Sequence, residues 1–138
     1  MLSKVPFTIV NGGGSYPLLK ITIVNPATGL SVSTFGLIDT GADECAIPAG
    51  FARALGHNLQ AGITKTIQTG NGATSAYAHT STIQIHDPLT NVVAHTIQQT
   101  PVDFMPNLHV VLLGVRNFLG TFVLTVDYPQ QEFSIIRP

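Results

Sequence analysis

The sequence predicts a single mainly β domain with one or two short helices. Three observations carry this reading. Runs rich in Val, Ile, Thr and Leu recur along the chain, often alternating apolar with polar residues. Turn signals punctuate them at Asn25-Pro26, Asn71-Gly72, Asp87-Pro88 and Tyr128-Pro129. The chain has 138 residues, 44% of them hydrophobic, and no linker or low-complexity tract divides it. That is enough for one buried core and makes residues 1–138 one domain.

In chain order, strands are expected at residues 18–24, 32–38, 63–69, 76–85, 92–100 and 122–126, where β-branched residues are densest. A short helix is expected at residues 49–55, after Pro48 and before Gly56. Another is expected at residues 117–119, stopped by Gly120. There is a faint internal repeat. Residues 21–29 read strand, Asn-Pro-Ala-Thr turn, return; residues 83–91 read strand, Asp-Pro-Leu-Thr turn, return. Each returning strand is followed, at a different distance, by an apolar run into a glycine: residues 35–41 and residues 110–114. Either the domain is a structural duplication, or two common Asx-Pro turns happen to look alike.

Composition excludes several classes. Charged residues are 9% and the net charge is −1, so there is no basic surface for nucleic acid. The apolar content is too high for a disordered chain. No run of about 18 apolar residues exists to span a membrane. The first residues, MLSKVPFTIVNGGG, lack the apolar stretch of a secretory signal, and the lone Cys45 has no internal disulfide partner. Both features lead to the expectation of a cytoplasmic setting. So few charges on a small domain suggest a partner that covers part of its surface, a second copy being the simplest.

The segment Gly36-Leu-Ile-Asp-Thr-Gly-Ala-Asp43 carries the chemistry. An apolar strand ends abruptly in Asp39, and a carboxylate there is expensive unless it is stabilised. Thr40 adds a hydroxyl, and Gly41 lets the backbone turn tightly and approach closely. Such a loop can hold a carboxylate with backbone N–H groups at the mouth of a cleft. From the tripeptide alone, an ordinary strand followed by a turn explains it equally well.

Three ordered elements together resemble the retropepsin-like (retroviral-type) aspartic proteases. The first is Leu37-Ile38-Asp39-Thr40-Gly41-Ala42, extended by Asp43 and Glu44. The second is Leu112-Leu113-Gly114-Val115-Arg116-Asn117, similar to the family's apolar-apolar-Gly segment leading into a short helix. Between them, Thr69-Gly70-Asn71-Gly72-Ala73 sits where the family has its flap hairpin. The likeness covers roughly residues 18 to 136. It departs from the family at Val115, which separates Gly114 from Arg116.

The resemblance implies a single-lobe acid-protease β-barrel acting as an aspartic endopeptidase. Asp39, Thr40 and Gly41 would form the catalytic loop. Ala42, Asp43, Thr69, Gly70, Asn71 and Gly72 would bind an extended peptide, with no cofactor and no metal. A peptide-cleaving aspartic site needs two carboxylates, one as base and one as acid. Only Asp39 is followed by Thr-Gly, so the second is expected from a second copy across a C2 axis, the two sharing one proton. Thr40 would brace the two loops. Arg116 would pair with Asp43, or be a plain surface residue. Asn71-Gly72 signals a type I′ hairpin, either a flap or a hairpin without a gating role. Residues 5–10 and 132–136 would interleave with those of the partner, the glycines at 12–14 giving reach; a frayed N-terminal tail is the other reading.

Two rival functions remain. One is a catalytically silent dimeric peptide-binding domain of the same fold. The other is a monomeric β-barrel that binds an apolar ligand, in which Asp39 is dispensable. The five histidines at 57, 79, 86, 95 and 109 lack metal-ligand spacing and read as scattered surface residues. Cys45 reads as a small core thiol.

Overall fold

The computed structural model describes residues 1–138. Its strands are β1 (Leu2–Pro6), β2 (Thr8–Ile9), β3 (Ser15–Tyr16), β4 (Leu18–Val24), β5 (Ser31–Ile38), β6 (Cys45–Pro48), β7 (Ile63–Thr69), β8 (Gly72–His86), β9 (Val93–Met105), β10 (Val111–Leu113), β11 (Val123–Asp127) and β12 (Glu132–Ile136). One α-helical turn, α1 (Phe51–Ala54), follows β6, and 3-10 turns lie at Leu59–Ala61 and Leu119–Thr121. No helix is long and apolar enough to cross a membrane.

Six strands close a ring. The order is β4-β5-β10-β6-β9-β8, and β8 returns to pair with β4. Closure removes the exposed edges that an open sheet would leave. Along β8, Ser81, Ile83 and Ile85 are buried while Thr82, Gln84 and His86 are less so, the two-residue period of a strand with one face inward. Ile21 and Ile23 of β4, Phe104 of β9 and Leu113 of β10 join them in the main core. The strand β7 lies outside the ring and pairs only with β8, so β7 and the start of β8 form a projecting hairpin. A separate sheet, β1-β12-β11, adds Leu2, Val5, Phe133 and Ile135 to the same core.

The expected strands are all present, two of them longer than the sequence suggests. The strand expected at 92–100 continues through Pro101 to Met105. Pro101 faces Thr80, and the residues beyond it gain a second neighbour, running parallel to β6 with Cys45 opposite Val102 and Ile47 opposite Phe104. The strand expected at 76–85 begins at Gly72, because it also forms the return limb of the hairpin. The helix expected at 49–55 is only the single turn of α1. That expected at 117–119 is displaced to the 3-10 turn Leu119–Thr121, because Asn117 takes a left-handed backbone (φ 58°) that no helix interior allows.

The N-terminal expectation also changes. Residues 5–10 are not one strand. β1 ends at Pro6 and pairs antiparallel with β12 of its own chain, Val5 opposite Phe133. The β2–β3 hairpin follows, and Gly12 to Gly14 form its tight turn rather than a reach, with Val10 N–H bonded to Gly14 O at 3.0 Å.

The two Asx-Pro turns of the repeat share one geometry. Asn25 N–H bonds Leu30 O at 3.0 Å and Gly29 N–H bonds Asn25 O at 2.8 Å. Asp87 N–H bonds Val92 O and Asn91 N–H bonds Asp87 O, both at 2.8 Å. Each side-chain Oδ1 accepts from the backbone two residues on, at Ala27 and at Leu89. The fifth residue of each turn is left-handed, Gly29 at φ 75° and Asn91 at φ 62°. The strands that lead into these turns pair antiparallel, Ile21 opposite Ile85 and Ile23 opposite Ile83.

Phe104 is fully buried, and its ring packs against His57 at 5.2 Å and His79 at 5.3 Å between centroids. Phe104→Ala is expected to destabilise the domain by about 3–5 kcal/mol in urea denaturation. A loss of about 1 kcal/mol or less would mean that the site collapses around the cavity.

Candidate active site

The site rests on the parallel pair β5 and β10. Their register sets Gly36 beside Val111 and Ile38 beside Leu113. A Cβ on Gly36 would lie 2.8 Å from the Leu113 side chain, so the two strands need glycine there. Asp39 follows β5 directly and its N–H bonds Leu113 O at 3.1 Å. The chain then turns sharply, with Ala42 N–H bonded to Asp39 O at 3.2 Å. Gly41 N–H donates to Asp39 Oδ1 at 3.0 Å. A carboxylate at the end of an apolar strand thus receives a backbone donor from its own loop.

Gly114 passes beneath this loop. A Cβ there would run into the carbonyl oxygens of Glu44 and Ala42. Just beyond it, Val115 N–H bonds Ala42 O at 2.9 Å and Arg116 N–H bonds Asp43 O at 2.7 Å. The extra residue Val115 is accommodated in this crossing, its carbonyl accepting from Gly120 N–H at 2.7 Å.

Asp39 opens onto a cleft of about 710 Å³ that runs under the β7–β8 hairpin. Of the residues singled out in the sequence, Asp39, Gly41, Ala42, Asp43, Thr69 and Gly70 line it together. Thr40 lies on the exposed outside of the loop, and Asn71 and Gly72 lie at the exposed hairpin tip, away from the cleft wall. The apolar floor is Ala46, Met105 and Leu112, faced by Ile67 from β7. The hairpin turn is not type I′. Thr69 pairs with Gly72, and of the turn residues only Gly72 has a positive φ, 103°. A type I′ turn would need positive φ at both central residues, Gly70 and Asn71. Thr69 Oγ1 closes the turn, accepting from Asn71 N–H at 3.2 Å and donating to Gly72 O at 2.8 Å.

Arg116 does not pair with the Asp43 carboxylate. It uses its backbone N–H on Asp43 and sends its guanidinium to Glu44, with Nη1 3.0 Å from Oε1. Asp43 points out to solvent, whereas Glu44 is turned inward. The other Glu44 oxygen is 3.0 Å from Lys65 Nζ, and the same ammonium is 2.8 Å from Asp103 Oδ1. That last contact is ionic. Apart from that ammonium, no donor reaches the buried Asp103 Oδ1. Lys65 and Asp103 escaped the sequence reading. Lys65 sits in a polar strand, and Asp103 lies beyond the Pro101 at which that strand was expected to have ended.

The cluster's protonation follows from its geometry. Burial pushes Asp103 above the usual carboxylate range, Lys65 pulls it back, and the Glu44 charge pushes it up further. Burial also acts upward on Glu44, but Lys65 and then Arg116 outweigh it and hold Glu44 below its ordinary value. Burial opposes the Lys65 charge, but its two carboxylate partners raise it on balance. Burial pushes the Cys45 thiol up to about 12, which makes it an inert core group.

The histidines are not all scattered. His57 and His79 pack as tilted rings at 4.8 Å between centroids, with His79 Nε2 3.1 Å from Leu59 O and His57 Nε2 3.3 Å from Ser81 Oγ. Burial and then the His79 charge hold His57 below its ordinary value. No three His, Cys, Asp or Glu side chains are grouped to hold a metal ion.

A strand-borne Asp-Thr-Gly loop, buttressed by an apolar-apolar-Gly crossing and facing a cleft under a hairpin, is the architecture of a retropepsin-like domain. The model of the family "gag-polyprotein putative aspartyl protease" matches residues 31–121, and the chain belongs to that family. Its fold is that of a crystal structure of a retropepsin-like aspartic protease from Rickettsia conorii. The TM-score is 0.67 at 20% identity, covering 97% of this chain and 100% of that one. No curated protein matches it in sequence.

Lys65→Met is expected to destabilise the domain by about 1–2 kcal/mol at neutral pH, because it strands the buried Asp103. The figure is set low because the Lys65 side chain is 37% exposed. Asp103 binds its proton more tightly folded than unfolded. The penalty of its charge is therefore felt above its raised folded value and relieved as pH falls through it. The Lys65→Met deficit should accordingly shrink as urea denaturation is moved to acid pH. Glu44 works the other way in the wild type: its stabilisation is present above its unfolded value and lost as pH falls through its lowered folded value.

Proposed function

We propose that this chain is an aspartic endopeptidase that works as a homodimer, each subunit contributing one Asp39 to a water-activating pair. The observation that supports this most directly is the setting of Asp39. It is half-buried at the end of β5, held by Leu113 O and Gly41 N–H, and turned toward a peptide-sized cleft. A carboxylate held this way is oriented before substrate arrives, which is the arrangement acid–base catalysis rewards.

In the proposed reaction, the ionised carboxylate of the pair takes a proton from a water as its oxygen attacks the peptide carbonyl carbon. The protonated carboxyl donates its proton to the carbonyl oxygen, giving a neutral gem-diol. Collapse re-forms the carbonyl, breaks the C–N bond and delivers a proton to the leaving nitrogen. The pair ends with its single proton restored. Thr40, exposed on the outside of the loop, is free to bond its counterpart across the dimer axis. The β7–β8 hairpin is proposed as a flap. It has no backbone neighbour but itself above the cleft, and its edge can pair with an extended peptide. The proposal includes a cytoplasmic setting, consistent with the buried, unpaired Cys45.

Incubation with a diverse peptide library between about pH 4 and 7 tests it, with cleavage read by mass spectrometry. The wild type should cut within extended segments with apolar side chains, most strongly at mildly acidic pH. Asp39→Asn should lose roughly a thousandfold or more. Mixing Asp39→Asn into the wild type should depress activity in step with the inactive share of subunits. Activity untouched by the mixing would mean that each chain works alone. Binding without cleavage by a dimeric wild type would favour a catalytically silent peptide-binding domain.

A further inference from the structure

We propose that the Lys65–Asp103 pair forms the end of a substrate side-chain pocket that selects a primary carboxamide, the side chain of Asn or Gln. The proposal rests on the peptide-binding role of the cleft set out above and adds the identity of one side chain it takes.

The cleft wall beside the catalytic loop is apolar at Ala46, Ile67 and Leu112, and a simple apolar pocket would continue so. Instead it ends on Asp103, which is only 4% exposed and opposes Ala46 in the β6–β9 ladder. A carboxylate in that position costs free energy unless it gains hydrogen bonds. What the chain supplies is charge: the Lys65 ammonium lies 2.8 Å from Oδ1 and is shared with Glu44, and no backbone or neutral donor reaches the carboxylate. A carboxylate offers about four lone-pair sites, so one ammonium leaves acceptor capacity on the side that lines the cleft, where a ligand N–H can be received.

The choice of donor follows from charge. Glu44 and Asp103 together balance Lys65 and Arg116, so the cluster is neutral as it stands. A substrate Lys or Arg would bring a second cation beside the Lys65 ammonium, where the two repel. A substrate Asp or Glu would face Asp103. A carboxamide avoids both conflicts. Its NH2 donates to the Asp103 carboxylate, and its carbonyl oxygen accepts from Lys65, which has three protons and commits one to Glu44. An aliphatic side chain of the same size would leave that remaining acceptor capacity unused.

The test is selection of peptides from a randomised library on immobilised Asp39→Asn protein, which reads binding without turnover. It is run beside kcat/KM for matched substrates that carry Gln or Leu at the selected position. The proposal expects enrichment of Asn or Gln at one position and a Gln-over-Leu ratio of about tenfold or more. Asp103→Leu should bring that ratio to near one or invert it. Lys65→Met should lower it partway, which keeps the test readable if Asp103→Leu does not fold, as its melting curve would reveal. Enrichment of apolar residues alone, or of basic ones, overturns the proposal, and so does a Gln preference that survives Asp103→Leu. If wild type cleaves no peptide at all, the endopeptidase reading fails while the selection still decides the carboxamide pocket.

Discussion

The site depends on one close crossing, Gly114 beneath the Asp39 loop. The carbonyls of Ala42 and Glu44 occupy the space a side chain at 114 would need. Because nothing intervenes, the backbone after Gly114 reaches the loop directly and bonds Ala42 O and Asp43 O, while Asp39 N–H reaches Leu113 O. Three backbone bonds between two short segments therefore fix a loop whose residues are otherwise mostly exposed. Loops of this kind usually sample many conformations. This one is held by the core strand β10, whose Val111 and Leu113 are fully buried. The direction of the Asp39 carboxyl is inherited from barrel packing.

The second constraint is electrostatic and joins the parts that backbone bonds leave apart. The hairpin strand β7 has only β8 as a partner in the sheet. Lys65 is its tie to the rest of the cleft, touching Glu44 beside the Asp39 loop and Asp103 on β9. Glu44 gives one oxygen to Lys65 and the other to Arg116, which stands just past the Gly114 crossing. One half-buried carboxylate thus links hairpin, loop and crossing. Its two cations hold it ionised, while burial and Glu44 itself make Asp103 the readier of the two to take a proton.

Much of this was legible in the sequence, for local reasons. The strands at 18–24 and 63–69 declare themselves through alternation and flanking turns, and the Asp39 loop through a strand that ends in Asp-Thr-Gly. The two Asx-Pro turns look alike because each Asx side chain caps its own turn, a property of a few adjacent residues. What was hidden was long-range. Pro101 reads as a break, yet only the unwritten neighbour β6 reveals that the strand resumes to bury Asp103. Arg116 reaches Glu44 and not Asp43 because its backbone N–H already takes the Asp43 carbonyl at the crossing, a contact that spacing along the chain does not reveal. The pairing of His57 with His79 spans two elements that only the closed ring brings together.

The β5–β10 register bears on why the proposed carboxylate pair calls for two chains. The β5–β10 register runs Gly36 with Val111, Leu37 with Leu112 and Ile38 with Leu113. Continued by one residue, it sets Gly114 opposite Asp39. The residue this register sets beside Asp39 is therefore a glycine, and the Asp39 loop already fills its side-chain space. The close crossing that brings Leu113 O to Asp39 N–H also leaves no room for an acid at 114. Steric exclusion at Gly114 leaves Asp39 as the one carboxylate of this crossing. A water-activating pair then has to be completed by a copy of the same loop, which ties the proposed activity to association in a way that a two-carboxylate chain would escape.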